Sequence, residues 1–291
     1  MLKRILNISL WALAIAGLFV SLGFSARETD RITCDNIHVD VDHSQGNFFL
    51  TRENVKQLVL DKGDSLVGKK LSDIPIATYE KLIAAHPSVK QAEVYTQLNG
   101  TFAVKVYQRE PILRIFTPYG ESYYIDSDGQ LMPISENYTA RVPIATGFIH
   151  DRFGRMQSFK FNELSDSLAK RTILDDLFEL ATFIYNDPFW KTQIQQIQVE
   201  HTGEFTLIPT IGDHHILLGG TKGMEPKFAK LLLFYQKGLN TTGWDQYAHI
   251  NLKYKNQVIA TRKGMKNDEL RITNWTNQEV TSNERGERYT A

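Results

Sequence analysis

The most apolar part of the chain lies near its beginning. Residues 5–24, ILNISLWALAIAGLFVSLGF, carry no charged side chain, and about twenty helical residues span the roughly 30 Å hydrocarbon core of a membrane. Lys3 and Arg4 precede this run, whereas the charges that follow it cancel. The pattern predicts one transmembrane helix with residues 1–4 in the cytoplasm. A cleaved secretory signal is the alternative, but its apolar region is usually about 7–15 residues long.

The pattern then changes to that of a small globular domain. Residues 25–36 are polar and are interpreted as a linker. Alternating apolar positions predict a strand that starts at residue 37. Thr51 is expected to cap a first helix, and a second helix over residues 76–85 is followed by Pro87, which cannot continue it. This domain is expected to extend over residues 37–113.

Two further strands are expected in the same domain, at residues 92–97 and 102–108. Asn99-Gly100 separates them, and this dipeptide favours the positive φ values of a tight hairpin turn. The order strand, helix, helix, strand, strand predicts two helices packed on one face of a three-stranded sheet. The sheet keeps an open edge, which suits recognition better than catalysis.

Residues 114–263 show a second alternation of helical and strand patterns. Apolar side chains recur at helical spacing in residues 168–185 and 226–237. Period-two alternation between turn residues predicts sequential antiparallel strands at residues 194–200, 204–209 and 214–218. The sequence therefore predicts a mixed α+β domain with an antiparallel sheet.

A hairpin is expected at the end of this domain, over residues 247–263. Ile250, Leu252 and Tyr254 alternate with polar residues, and a turn is expected at Lys255-Asn256. The last strand then begins at Val258 and ends at Arg262. Apolar content falls afterwards, so residues 264–291 are expected to form a mobile tail.

The charge balance narrows the classes of partner. Lys and Arg total 33, Asp and Glu total 33, and the formal net charge is zero. A nucleic-acid-binding protein that needs a strong positive field is not expected from this balance, so the predicted partner is protein. The single cysteine, Cys34, cannot form an intramolecular disulfide. It is interpreted as a small apolar filler, and an intermolecular disulfide or a lipid attachment is the alternative.

The sequence contains two candidate chemical sites, and both have a simpler structural interpretation. Asp126, Asp128 and Gly129 suggest a calcium loop, but the glycine is in the fourth position instead of the sixth, so a hairpin turn is favoured. His214 and His215 are adjacent and point to opposite sides of a strand, which prevents them from binding one metal together. No G-x-S-x-G, H-E-x-x-H or P-loop motif occurs. The sequence therefore predicts no catalytic residue, no metal site, no cofactor and no enzyme activity.

Several segments together resemble one protein family. Residues 86–116, HPSVKQAEVYTQLNGTFAVKVYQREPILRIF, have the strands and the Gln-Arg-Glu-Pro exit that end the POTRA domain of FtsQ/DivIB proteins. Residues 123–135 and 138–147 resemble the start of the family's second domain, in its Bacteroidota-like form. With the predicted anchor and the last hairpin, the resemblance covers about residues 1–262. It implies an α+β fold with an N-terminal transmembrane helix, a POTRA domain and an FtsQ-type β domain.

The resemblance also implies a function. Proteins of this family are scaffolds of the division machinery at the inner membrane, and they bind FtsB and FtsL on its outer side. They link early and late division proteins and help to control septal peptidoglycan synthesis. FtsB-like and FtsL-like proteins, and other division proteins of the membrane, are therefore the expected partners, and nucleic acid is not.

A partner-binding site follows from the last strand. No later strand is predicted to pair with it, so its backbone groups are open to a partner strand, and family members bind a partner at this edge. Matching the family's Asp-Leu-Arg-Tyr strand to residues 251–254 transfers its contact positions to Lys253 and Tyr254. The lysine lacks the bidentate fork of the arginine, and a core role for Tyr254 is the alternative. The added-strand positions are Val258, Ile259, Ala260, Thr261 and Arg262.

Two other classes of protein were weighed. A POTRA-bearing translocation component of the outer membrane would need a cleaved signal and a long series of barrel strands, and neither pattern is present. A membrane-anchored periplasmic enzyme would need a pocket with convergent titratable groups.

Overall fold

The computed structural model describes residues 11, 13–17, 32–62, 65–151 and 172–264 of the 291-residue chain. The chain divides into two compact units, residues 1–109 and 110–291. The predicted transmembrane span, residues 5–24, lies outside the described residues except for Trp11 and residues 13–17, which are helical. Among the helices of the described ranges, none is both long enough and apolar enough to cross a membrane.

The first unit is a three-stranded sheet with two α-helices. Its elements are β1 (Asn36–Asp42), α1 (Arg52–Leu60), α2 (Ile76–Ala84), β2 (Val89–Thr96) and β3 (Thr101–Gln108). The strand order is β1-β3-β2, with β3 parallel to β1 and antiparallel to β2. The predicted β-α-α-β-β order is confirmed.

The first helix begins as its sequence predicts. The Asn54 N–H donates to Thr51 Oγ1 at 3.2 Å, and the Thr51 N–H donates to Asn54 Oδ1 at 3.0 Å. This reciprocal pair satisfies two of the backbone donors that a helix start leaves free. Helix α1 ends at Leu60.

The hairpin between β2 and β3 differs from the prediction. Its turn spans Gln97 to Gly100, and the Gly100 N–H donates to Gln97 O at 3.1 Å. Gly100 has a φ of 83°, whereas Asn99 is not among the described residues with positive φ. The longer turn therefore needs one left-handed residue at its end, and the expectation of two is wrong.

Cys34 lies in the segment that the sequence assigns to the linker, yet it is fully buried in the core of the first unit. The Cys34 N–H donates to Lys69 O at 2.8 Å, and the Gly68 N–H donates to Cys34 O at 2.8 Å. These backbone bonds attach the segment before β1 to the domain. Burial raises the pKa of the thiol, and Cys34 packs as a small apolar side chain.

The second unit is built on one large sheet with helices. Its first strands are β4 (Pro111–Phe116), β5 (Ser122–Asp126), β6 (Leu131–Pro133) and β7 (Ile144–Gly147). Then come α3 (Ile173–Asn186), α4 (Pro188–Gln193), β8 (Ile194–Val199), β9 (Phe205–Pro209) and β10 (His215–Gly219). The last elements are α5 (Met224–Leu233), a π-helical segment (Phe234–Leu239), α6 (Asn240–Thr242), β11 (Tyr247–Asn251) and β12 (Ile259–Arg262).

The nine strands follow the order β12-β11-β10-β9-β8-β7-β4-β5-β6. The predicted antiparallel run β8-β9-β10 is confirmed. The sheet as a whole is mixed, because β4 with β7, β7 with β8 and β10 with β11 pair in parallel. The expectation of an antiparallel sheet is therefore wrong. Helices α3 and α4 connect β7 to β8, and α5 connects β10 to β11, and such crossovers return the chain in the same direction.

The helices of the second unit bury the stripes that the sequence predicts. Leu174, Leu177, Ala181 and Ile184 of α3 belong to the core. The helix begins at Ile173, after the capping residue Thr172, and the predicted residues 168–171 lie outside the described ranges. Helix α5 begins before the predicted residue 226, and the helical path continues through the π-helical segment instead of ending at residue 237.

Candidate partner-binding edge

Strand β12 lies at one edge of the nine-stranded sheet. In the part of the chain that the structure describes, its neighbour on one side is β11, and no strand pairs with its other side. The pairing with β11 is antiparallel, with Thr261 opposite His249 and Ile259 opposite Asn251. An edge strand of this kind presents a row of backbone groups that a further strand can use.

The direction of these backbone groups follows from one hydrogen bond. The Lys263 N–H donates to Gln246 O at 3.0 Å, across the hairpin. Backbone groups alternate in direction along a strand, so the N–H groups of Thr261 and Ile259 also point toward β11. The N–H and C=O groups of Ala260 and Arg262 therefore point away from β11, toward the open edge.

The side chains of this segment divide between core and surface. Val258 and Ala260 are only 2% and 3% exposed and belong to the core cluster. Ile259 and Thr261 are half-buried, and Arg262 is exposed. Of the five predicted added-strand positions, Val258 lies just before β12, and its side chain anchors the segment in the core. A partner strand would meet backbone at this edge and side chains on one face.

Residues 252–258 form a loop between β11 and β12. The prediction that Tyr254 continues the strand alternation is wrong, because β11 ends at Asn251. Leu252 is fully buried at the start of the loop, whereas Tyr254 is 49% exposed. Asn256 has a φ of 63°, which confirms the turn expected at Lys255-Asn256. The exposure of Tyr254 does not support the alternative in which it is a core residue.

Lys253 crosses the end of β10. Its backbone N–H donates to Asn251 Oδ1 at 3.0 Å, and its ammonium forms an ion pair with Glu204. A Cβ added at Gly219 would lie 3.2 Å from Lys253 Cγ, so the glycine leaves room for the lysine stem. The two side chains are 38% and 42% exposed, and a partly exposed ion pair of this kind stabilises the fold by about 0–1 kcal/mol.

A groove lies beside this loop. It has a volume of about 650 Å³ and runs between α5 and residues 252–256. Its described lining includes Lys222, Lys227, Lys230, Lys253 and Lys255, and no Asp or Glu. Apolar atoms of Leu232, Leu233 and Leu252 also line it.

The set-aside candidates have structural roles. Asp126 is fully buried, and its Oδ1 accepts from the N–H groups of Asp128 at 3.0 Å and Gln130 at 2.6 Å. Gly129 has a φ of 76° in the same turn, which joins β5 to β6. These bonds confirm the hairpin interpretation. In the described residues, no group of three or more His, Cys, Asp or Glu side chains is placed to hold a metal ion.

The two adjacent histidines face opposite sides, as expected. His215 is exposed, whereas His214 is buried and its Nε2 lies 2.9 Å from the Tyr235 hydroxyl. Burial, followed by the charge of His215, lowers the pKa of His214 to about 4. His214 is therefore neutral at physiological pH and packs as an aromatic core residue.

Lys230 is a residue of this region that the sequence pattern does not predict. This residue of α5 places its ammonium among carbonyl oxygens of the loop, 2.7 Å from Tyr254 O. A lysine on the outer face of a helix resembles any solvated lysine, and its partners are 22 to 27 residues away. No local pattern signals such a contact.

Comparisons with known proteins agree with this architecture. The family model described as FtsQ/DivIB, C-terminal related, matches residues 110–261, and a POTRA-like domain model matches residues 32–107. The protein described as cell division protein FtsQ from Rhodothermus marinus is 26% identical over 197 residues, which cover 66% of this chain and 67% of the relative. Because the first match alone extends over half of the chain, the chain belongs to the FtsQ/DivIB family of cell-division proteins.

Proposed function

We propose that this chain is a non-catalytic scaffold of the bacterial division machinery that binds FtsB-like and FtsL-like proteins outside the inner membrane. In this role it links early and late division proteins and helps to control septal peptidoglycan synthesis. The observation that carries the proposal is the open edge of β12, where the N–H and C=O groups of Ala260 and Arg262 are directed outward. A partner strand that pairs with these groups would extend the sheet.

The loop before β12 supplies side chains to the same interface. Tyr254 is half-exposed, and aromatic residues with an apolar ring and a polar end are favoured at protein interfaces. Lys253 and the exposed Arg262 add positive charge beside the edge. The proposed site therefore consists of Lys253, Tyr254 and residues 258–262, with Val258 and Ala260 contributing backbone.

A membrane anchor belongs to the same proposal. The uncharged run of residues 5–24 and the basic Lys3 and Arg4 support a single span with Met1 in the cytoplasm and both units outside the inner membrane. Protease added to the outer side of that membrane is expected to digest the exported units. Protection of these units, or a mature chain that starts near residue 26, would contradict the topology.

Proline substitutions test the β12 edge. Arg262→Pro removes an outward N–H at an exposed position, whereas Arg262→Thr removes the same charge and keeps the N–H. We expect Arg262→Pro to bind a purified FtsB–FtsL pair about tenfold to a hundredfold more weakly than Arg262→Thr, since leaving a buried carbonyl unpaired costs about 1–3 kcal/mol. Thr261→Pro removes an inward N–H and should unfold the hairpin.

The affinity comparison tests pairing at β12 only if Arg262→Pro is folded. Circular dichroism and urea unfolding establish that Arg262→Pro is folded before its affinity is measured. If the folded Arg262→Pro variant binds as tightly as Arg262→Thr, no partner strand pairs with β12. The next candidate is then the edge strand β2 of the first unit.

A further inference from the structure

The Lys230 ammonium lies among carbonyl oxygens of the loop between β11 and β12. It donates to Tyr254 O at 2.7 Å, to Gln257 O at 3.4 Å and to Leu252 O at 3.5 Å. An ammonium group has three N–H donors, so one side chain supplies a partner for each of these carbonyls. The contact joins the last turn of α5 to both sides of the Lys255-Asn256 turn.

The loop needs such an anchor because few other bonds hold its middle. Leu252 and Val258 fix its two ends in the core, and the Leu252 N–H donates to Leu217 O at 3.0 Å. Residues 253–256 between them are exposed. Asn256 has a left-handed conformation with a φ of 63°, which asparagine tolerates in a turn.

The groove favours this use of Lys230. Its described lining contains no carboxylate that would compete for the ammonium. Lys230 is half-buried, and burial lowers its pKa. Lys227, one turn earlier on α5, lines the same groove but donates to Gly220 O at 2.7 Å, away from the loop. Lys227 and Lys230 therefore share a helix, a charge and a groove, but their ammonium groups donate to carbonyl oxygens of different segments.

We propose that Lys230 is a positioning residue of the partner-binding site, which holds residues 252–257 in the conformation that presents Lys253 and Tyr254 before a partner arrives. The effect of Lys230 on binding rests on the proposed function, whereas its effect on the conformation of the loop does not. If the loop adopts the binding-competent conformation only one tenth of the time, the apparent affinity for the partner is about tenfold lower than with a loop that is always competent. Lys230 would therefore affect binding through the conformation of the loop, without contacting the partner.

The first experiment examines the full chain without partner. Amide hydrogen exchange of Leu252 and Lys253, whose N–H groups donate to Leu217 O and Asn251 Oδ1, is compared among the natural chain, Lys230→Met and Lys227→Met. Methionine removes the donors and keeps an unbranched apolar stem. We expect exchange in the loop to accelerate about tenfold in Lys230→Met, with β10 unchanged, and to stay unchanged in Lys227→Met. Equal exchange in all three proteins would overturn the proposal.

The second experiment measures association with the purified FtsB–FtsL pair. We expect the association rate to fall about tenfold in Lys230→Met, to fall little in Lys227→Met, and to be restored largely by Lys230→Arg, which keeps charge and donors. An equal loss in Lys227→Met would assign the effect to charge and overturn the positioning role. Adding Lys230→Met to a Tyr254→Ala, Lys253→Ala double variant should have no further effect, since the residues it presents are gone.

Failure of this inference differs from failure of the proposed function. Faster loop exchange with normal association would mean that the loop is held by Lys230 but lies outside the interface, which overturns the inference and leaves the β12 edge to the proline test. Should Lys230→Met unfold the second unit, Lys230→Leu, which also removes the N–H donors and keeps an apolar side chain suited to a helix, replaces it in both experiments. Normal loop exchange in whichever of these two variants is folded would refute the anchor.

Discussion

Acidification should destabilise the second unit through one buried histidine. His214 is 1% exposed, and it packs against the rings of Tyr235 and Trp244. Burial lowers its pKa to about 4, whereas an unfolded histidine titrates near about 6.5. Protonation therefore favours the unfolded state. The stabilising effect of neutral His214 is complete above the unfolded pKa and is lost as the pH falls toward the folded pKa.

The size of the loss follows from these two pKa values. At pH 5 the unfolded histidine is almost fully protonated, while the folded one is mostly neutral, and linkage gives a loss of about 2 kcal/mol relative to pH 7.5. At pH 4 the loss rises to about 3 kcal/mol. A folded pKa of 5 instead of 4 would change the pH 5 figure by only about 0.4 kcal/mol. The measurement at pH 5 is therefore the decisive one.

Urea unfolding at pH 7.5 and pH 5.0 measures the loss, with the fluorescence of Trp190 and Trp244 as the signal of the second unit. His214→Gln is neutral at both pH values, and His201→Gln, at an exposed histidine of the same unit that does not act on His214, is the matched control. We expect the natural chain and His201→Gln to lose about 2 kcal/mol more on acidification than His214→Gln. Other titrating groups contribute equally to the pH dependence of all three proteins, so their contributions cancel in the comparison. One such group is His86 in the first unit, because burial also lowers the pKa of this histidine. An unchanged pH dependence in His214→Gln would refute the reasoning.

Two further predictions concern stability. Asp126→Ala should lower the free energy of unfolding by about 1–3 kcal/mol, because it removes the acceptor for two backbone N–H groups. In a complementation assay, any division defect should follow the abundance of the variant protein. A defect at normal abundance and stability would instead indicate a chemical role for Asp126. Gly147→Ala should cost more than about 2 kcal/mol in urea unfolding, because its φ is 98° and the new Cβ would lie 2.2 Å from Val199 O. Gly120→Ala has a φ of 80° with nothing within 4 Å, so it isolates the conformational cost, and an equal loss in both variants would contradict the clash.

Local signals account for the parts of the fold that the sequence predicts correctly. The cap at Thr51, the stripe of α3 and the strands β8 to β10 depend on residues that lie within one element or one short turn. Hydrophobic periodicity and capping are local by nature, so one sequence is enough to read them.

The parallel pairings could not be predicted in the same way. Strands β6 and β7 have three and four residues, too few for a period-two pattern to stand out. Strand β7 also lies between β4 and β8, which are distant in sequence. Which strands become neighbours depends on helix crossovers and core packing, and those interactions are non-local.

The candidate site illustrates both limits. Its edge position agrees with the expectation from sequence order, since β12 is the last strand in the part of the chain that the structure describes. The alternation of Ile250, Leu252 and Tyr254 suggested a longer strand, but the chain leaves the sheet after Asn251, whose side chain accepts from the Lys253 N–H. This side-chain bond replaces a ladder bond and starts the loop. Alternation alone cannot distinguish a strand from a loop with buried ends.

The two edges of the large sheet differ in their capacity to accept another strand. At one edge, β6 is three residues long and ends in Pro133, which has no N–H to donate. Short strands and prolines are features that protect an edge from pairing. At the other edge, β12 has four residues and lacks proline. The backbone N–H and C=O groups of every second residue point away from β11. Exposed Lys253 and Arg262 lie beside this edge, and their charge disfavours pairing with a second copy of the same strand. We therefore propose that the β12 edge accepts a strand of another chain, and we expect acidic side chains to be favoured at the partner's flanks.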